Sequence, residues 1–299
     1  MDLGALNIFV AVAETGSITQ AARHLDYVQS NVTARIQHLE DELGTRLFYR
    51  KKRGVVLTPA GRTLLPYAVR LLRLADEARR AVQEHEQGHG SLAIGSMETT
   101  AAVRLPALLA HYHRAYPDVD LMLHTGPSEE MLTQVLDYRL DGAFVGGAVT
   151  HPDIEQEPLF DEELVVVSER EILSLADLPQ RTLLVFRQGC TYRARLERLL
   201  HERGMLPYKI MEFGTVEAIL GCVAAGMGVT LFPRFVLAQS PHQAALRLHT
   251  IPAELAQVPT MFIRRRDTLR TWALEAFLEL ARQPDACAAY GSPDACPAV

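Results

Sequence analysis

Residues 17–61 read SITQAARHLDYVQSNVTARIQHLEDELGTRLFYRKKRGVVLTPAG. Ser17-Ile18-Thr19-Gln20 has the form of a capping box, a hydroxyl followed three residues later by an amide, and opens a short helix. Ala21, Ala22 and Leu25 give that helix a thin apolar face suited to close packing. Asp26-Tyr27-Val28-Gln29 repeats the capping pattern, with Asp26 as the expected cap of a second helix. There Val32, Ile36, Leu39 and Leu43 recur at the helical period, and Gly44 ends the run. The opposite face carries Gln29, Ser30, Thr33 and, to one side, Arg35. Phe48-Tyr49 then leads into Arg50-Lys51-Lys52-Arg53, Gly54 permits a tight turn, and Val55-Val56-Leu57 returns as a strand. Four adjacent cations at a hairpin tip repel one another unless a polyanion neutralises them. A short helix, a reading helix and a basic hairpin together predict a winged helix-turn-helix, with chemistry of recognition rather than bond-making.

Working outward, Leu3, Leu6, Phe9, Val10 and Ala13 form one face of a preceding helix that Gly16 stops. After the hairpin, Thr58 is the expected N-cap and Pro59 the first position of a long helix, kinked near Pro66. In it Leu64, Ala68, Leu71, Ala75, Ala78 and Val82 step by heptads, a seam that predicts dimerisation, and 87–90 reads as a hinge.

The 299 residues suggest about two domains, and 48% hydrophobic content is ample for globular cores. No run approaches the ~18 uncharged apolar residues of a membrane helix. The acidic, amphipathic start is not a signal peptide. Cys190, Cys222, Cys287 and Cys296 form no CxxC, which points to free thiols in a reducing cytoplasm. The net charge of −6 argues weakly against a DNA binder, but residues 1–63 hold eight Lys/Arg against six Asp/Glu, while 89–299 hold 18 against 26. The local cluster at 50–53 matters more, because distant exposed charges are screened.

These motifs occur in order and at fixed spacing: AxxL at 22–25, QSNVTxRIxxLExxLG at 29–44, LFxR at 47–50 and LTPAG at 57–61. In that order the chain resembles the LysR-type transcriptional regulators, to about residue 284. Val28 and Ser30 depart from the pattern of many members, which have Ser or Thr and Pro there. The resemblance implies a winged helix-turn-helix domain at 1–58 and a linker helix with hinge at 59–90. It implies a two-lobed effector domain at 91–284, α/β and of the type 2 periplasmic-binding-protein kind; the composition of 285–299, Pro, Gly, Ser and Ala without periodicity, suggests a disordered tail. Expected DNA contacts are Ser17, Thr19, Gln29, Ser30, Asn31, Thr33, Arg35, Arg50, Lys52 and Arg53. Expected partners are double-stranded operator DNA, a small-molecule effector, further copies of the chain as a dimer or tetramer, and RNA polymerase. No cofactor, metal or membrane is expected.

From Ser91 strands and helices alternate, which predicts parallel sheets with crossover helices. Strands are expected at 92–95, 119–124, 141–146, 163–168, 182–186, 208–212, 228–231, 246–251 and 258–263. Helices are expected at 101–115, 128–138, 191–204, 215–225 and 268–283. The resemblance places lobe one at 91–161 and 266–284 and lobe two at 162–265, with crossings near Asp161 and Arg265. Ligands of open α/β sheets lie beyond the carboxyl ends of strands. The candidate effector residues are therefore Ser96, Met97, Glu98, Thr99, Thr100, Thr125, Pro127, Ser128, Phe144, Gly146, Gln188, Cys190, Thr191, Arg193 and Thr215. Each hydroxyl has the alternative of merely capping the following helix. Arg193 is the fixed cation of this set, which favours a small anionic effector such as a carboxylate.

Enzyme readings are weak. No GxSxG or CxxC frames Cys190 or Thr191, and His111 and His113 diverge on a predicted helix. A thiol sensor is the alternative: Arg193 and Arg195 near Cys190 could depress its pKa, while Cys222 packs as a small hydrophobe. The tail repeats Pro-Asp-Ala-Cys at 284–287 and 293–296.

Overall fold

The computed structural model describes residues 1–51, 54–83, 89–171, 182–205 and 208–283. Lys52, Arg53, residues 87–88 of the expected hinge, the tail, Cys287 and Cys296 lie outside the described residues. The chain divides into two units, Met1–His85 and Glu86–Val299.

In the first unit Asp2 caps α1 (Leu3–Thr15), which ends at Gly16 in the left-handed region, φ 63°. Ser17 caps α2 (Ile18–His24) as the capping box predicts. The second capping box does not form. Asp26 itself is left-handed, φ 54°, and α3 (Gln29–Leu43) starts behind Val28, which gives no side-chain cap. Strands β1 (Phe48–Arg50) and β2 (Val55–Leu57) pair antiparallel as the wing. The base of the wing is pinned to the end of α1: Val55 N–H donates to the Gly16 carbonyl at 2.8 Å. A Cβ on Gly54 would lie 2.3 Å from that same oxygen, so only glycine fits. Leu6, Phe9, Val12, Ala21, Val32, Leu39 and Leu47 fill the core.

Helix α4 (Pro59–Gln83) is about 38 Å long at 1.5 Å per residue. The Thr58 hydroxyl accepts from Gly61 N–H at 3.0 Å and donates to the Arg46 carbonyl at 2.7 Å, tying the helix start to the wing. Its heptad seam is divided. Ala68 is fully buried and Leu64 packs in the unit's own core, whereas Leu71 and Ala78 are exposed, with Leu74 and Tyr67 beside them. The side chain of Val82 lies outside the described residues.

The second unit holds a seven-stranded sheet and a two-stranded sheet. In lobe one, β3 (Gly90–Ser96) lies parallel between β4 (Val119–Thr125) and β5 (Gly142–Gly146). In lobe two, β7 (Thr182–Phe186) and β8 (Lys209–Phe213) are parallel, and Val229 bridges β7 to the start of β9 (Thr230–Pro233). The expected parallel pairing is found at β3–β4, β3–β5 and β7–β8, but the seven-stranded sheet is mixed. The strand expected at 163–168 is the end of β6 (Ile154–Ser168), which runs antiparallel to β9, β10 (Arg247–Thr250) and β11 (Gln257–Arg265). Pro158, which has no N–H to give, pairs with Met261 beside a register shift, since Thr260 pairs with Phe160 and Leu159 is passed over. β6 changes partners between Glu163 and Leu164, and β11 already pairs with β5 from Thr260.

The helix expected at 101–115 is two, α5 (Glu98–Val103) and α6 (Leu105–Ala115), because Pro106 suits a first turn and not an interior. Then follow α7 (Ser128–Leu136), α8 (Thr191–Glu202), α9 (Val216–Ala224), α10 (Arg234–Ala238), α11 (Ala253–Ala256) and α12 (Trp272–Ala281). Lobe-one cores lie on both faces of its sheet, around Phe144, Phe262 and Phe277 and around Met131 and Ile263. The lobe-two core centres on Leu183, Leu220 and Phe232. Among the described residues no helix is long and apolar enough to cross a membrane.

Candidate nucleic-acid interface and interlobe cleft

In the first unit, Gln29, Ser30 and Asn31 are exposed on the first turn of α3. Thr19 on α2 reaches the first of them, its hydroxyl donating to the Gln29 amide oxygen at 3.2 Å. Thr33 is half-buried and donates to the Gln29 carbonyl at 2.9 Å, and Ser17 is occupied as the α2 cap. Arg35 is exposed but paired at 3.3 Å with Asp2. The Ala5 N–H and, after it, the Arg35 charge hold the Asp2 carboxyl below its usual range. Arg50 is exposed at the end of β1, and Lys51 N–H closes the wing turn on the Gly54 carbonyl at 3.0 Å.

The residue that sequence reasoning missed here is Glu40. It is 5% exposed, yet its carboxylate accepts from Leu47 N–H at 2.7 Å and Phe48 N–H at 3.2 Å and meets Arg46 at 2.7 Å. The back of α3 thereby grips the first strand of the wing. Thr33, Gln37, Tyr49 and Arg50 line a groove of about 430 Å³ between helix and wing. Glu40 falls one residue beyond the apolar Leu39 in the helical repeat, so its inward direction was readable but its partners were not.

In the second unit, three of the four expected loops, those at 96–100, 125–128 and 188–193, lie near one another and near Gly146. Gly146, ending β5, packs against Thr191, Tyr192 and Met97. Ser128 at the start of α7 accepts from Gly146 N–H at 3.2 Å. Glu129 N–H donates to the Gly189 carbonyl at 3.4 Å, and Arg187 pairs with Glu130 at 2.8 Å. Thr99 and Thr100 are buried, and the Thr100 hydroxyl has no hydrogen-bond partner among the described residues. Burial raises the Glu98 carboxyl above its usual range, with Arg187 opposing and Glu130 reinforcing the shift.

Other expected pocket residues have different roles. Met97 belongs to the lobe-two core, and the Ser96 hydroxyl is spent on the Met97 carbonyl at 3.0 Å. Phe144 is not a cleft wall; it stacks with Phe160 and packs edge-on to Phe262 and Phe277 in lobe one. Pro127 is buried, Thr125 and Gln188 are exposed, and Thr215 caps α9. Arg193 is not a free cation: it pairs with Glu197 at 2.9 Å and with Glu212 at 2.5 Å, and donates to the Phe186 carbonyl at 3.3 Å. Cys190 is buried, and that burial pushes its thiol up to about 11, against the depression expected from neighbouring arginines.

A buried ion pair near the lobe crossing also escaped the sequence reading. Arg104, between α5 and α6, meets Glu162 on β6 through two contacts of 3.3 Å and lies over the rings of Phe160 and Phe235. Burial raises the Glu162 carboxyl to about 6 despite the guanidinium. The partners are 58 residues apart, and no local pattern announces them.

Residues 3–62 match the bacterial regulatory helix-turn-helix protein family, lysR family, and residues 85–285 match the LysR substrate binding domain. The chain is 51% identical over 281 residues to the transcriptional regulator GltR of Bacillus subtilis, covering 93% of this chain and 95% of that one. It is 46% identical over 279 residues to SoxR of an Arthrobacter species, covering 93% and 96%. Among solved structures, full-length CbnR in complex with its target DNA aligns with a TM-score of 0.64 and 26% identity, over 93% of this chain and 98% of that one. A full-length OxyR variant of Pseudomonas aeruginosa shares the fold, with a TM-score of 0.73 at 23% identity over 96% of both chains.

Proposed function

The chain belongs to the LysR family of helix-turn-helix regulators, and from that premise we propose which residues read DNA and where the effector binds. It is a DNA-binding transcriptional regulator with an effector-binding domain, not an enzyme. The reading proposed here is that Gln29, Ser30 and Asn31 face base edges while Thr19 and Arg50, with Lys52 and Arg53, meet the backbone. The observation that carries it is the exposed first turn of α3 set beside a wing that Glu40 holds in place. Two copies would join through the exposed part of α4 around Leu71 and Leu74, in the cytoplasm, and fit two half-sites.

The proposed effector site is the cleft between the lobes, bordered by α5, α7, the 187–191 loop and Gly146. The Thr100 hydroxyl, buried without a partner, supports it, because such a group loses hydrogen bonding unless a ligand or water supplies it. The anionic effector inferred from Arg193 loses its anchor, since that guanidinium is already held by two carboxylates. Glu98, Glu129 and Glu130 against Arg187 make the cleft a better match for a molecule with hydrogen-bond donors than for a bare carboxylate. The test is a metabolite screen on the full-length protein by thermal shift and by release of bound DNA. A hit should stabilise the protein by mass action and lose its effect in Thr100→Val. A full response in both Thr100→Val and Thr191→Val would move the site elsewhere.

A further inference from the structure

Val28 is 72% exposed, more than any other large hydrophobic residue among the described ones, and it stands immediately before the reading turn of α3. Its position makes that exposure informative. Val28 is the N-cap residue of α3, where Ser, Thr, Asp or Asn would accept a hydrogen bond from the first turn and stabilise the helix. Valine gives none. The side chain therefore neither fills the core nor caps the helix, and a sequence that breaks a local rule without a structural return is expected to do so at a functional position. The backbone beneath it is firmly placed. Its carbonyl accepts from Asn31 N–H at 3.0 Å and Val32 N–H at 3.3 Å, and the left-handed Asp26 sets the preceding turn. Branching at Cβ restricts the rotamers, so little freedom is lost when the isopropyl group meets a partner. The first residues of a recognition helix reach base edges in the major groove, where the C5-methyl of thymine is the apolar feature on offer.

We infer that Val28 is a specificity-determining residue that recognises one thymine per half-site by apolar contact with its C5-methyl group. This rests on α3 as the reading helix. The experiment uses the full-length protein and the tightest duplex it selects from a random pool. Each thymine in turn is replaced by uracil, which keeps every hydrogen bond and removes only the methyl. One thymine per half-site should show a loss of roughly four-fold, the worth of burying one methyl group. In Val28→Ser, which supplies the missing cap and so keeps or raises the melting temperature, that uracil penalty should vanish. A flat uracil scan in the wild-type protein would overturn the inference. So would an undiminished penalty at every sensitive thymine in Val28→Ser. Gln29→Ala separates the two levels: if it loses discrimination while Val28→Ser keeps the full uracil penalty, Val28 fails and α3 stands. If neither variant changes discrimination, α3 fails as well.

Discussion

Replacing Glu40 tests how the wing is held to the recognition helix. The carboxylate is the acceptor for two N–H groups on Leu47 and Phe48, both buried residues. In Glu40→Ala both donors lose their acceptor, and an unsatisfied buried donor costs about 1–3 kcal/mol. Water entering from the adjoining groove recovers part of that, so a loss of about 2–4 kcal/mol in the first unit is expected. The Arg46 contact adds little, because that guanidinium is 69% exposed. Leu47 N–H and Phe48 N–H share one carboxylate oxygen, Oε1, so the amide oxygen of Glu40→Gln can accept from both; the variant gives up only the charge that strengthens those bonds and the Arg46 contact, and its loss should be about 1 kcal/mol. The readout is hydrogen exchange at the Leu47 and Phe48 amides, combined with urea unfolding followed by circular dichroism. The single tryptophan, Trp272, lies in the other unit, and its fluorescence would miss the transition. A loosened wing should also flatten the salt dependence of DNA binding by about one ion per lost phosphate contact. Equal stability of the alanine and glutamine variants, or unchanged exchange at both amides, would refute the anchoring role.

Three further outcomes follow from the geometry. Leu71→Asp places a charge in the exposed half of the α4 seam; light scattering should show monomers and operator binding should fall, whereas an intact dimer would put the main interface elsewhere. The Glu162 carboxyl, raised by burial from 4.5 to about 6, favours the fold when protonated. Its contribution of about 2 kcal/mol is therefore present below pH 4.5 and lost as pH rises through about 6, so the difference in melting temperature between the wild type and Glu162→Gln should change across that window; a constant difference would contradict this. Cys190, with its thiol pushed up to about 11, should react slowly with iodoacetamide at pH 7, and mild oxidation should leave DNA binding unchanged; rapid labelling would revive the thiol-sensor reading.

The amino-terminal unit was largely legible because its signals are local. The Ser17 cap, the stop at Gly16, the apolar repeat of α3 and the Thr58 cap are each set by residues within four positions. The start of α3 departs from its capping pattern because Asp26 takes a left-handed conformation that no propensity at 26–29 reveals. In the second unit strand and helix positions were readable, but pairing was not. The stretch 154–162 looks like loop, with Glu155, Glu157 and Pro158, yet Arg264, Arg270 and Arg282 supply counter-charges that let it run as strand. The Arg193 pairing was half visible: Glu197 lies one helical turn away, while Glu212 arrives from β8, 19 residues on. The place of Phe144 is not legible in the sequence, because strand alternation does not say which face a neighbouring strand's aromatics cover.

The central claim, that the first turn of α3 reads sequence while the wing supplies backbone attraction, is tested most directly by comparing Gln29→Ala with Arg50→Ala. Fluorescence anisotropy over a salt series would measure full-length protein on its selected operator and on random DNA. Gln29→Ala should lose about 1–3 kcal/mol on the operator and far less on random DNA, with the salt slope kept. Arg50→Ala should weaken both duplexes alike and lower the slope by about one. Equal losses on both duplexes for Gln29→Ala, with the operator preference intact, would contradict the account.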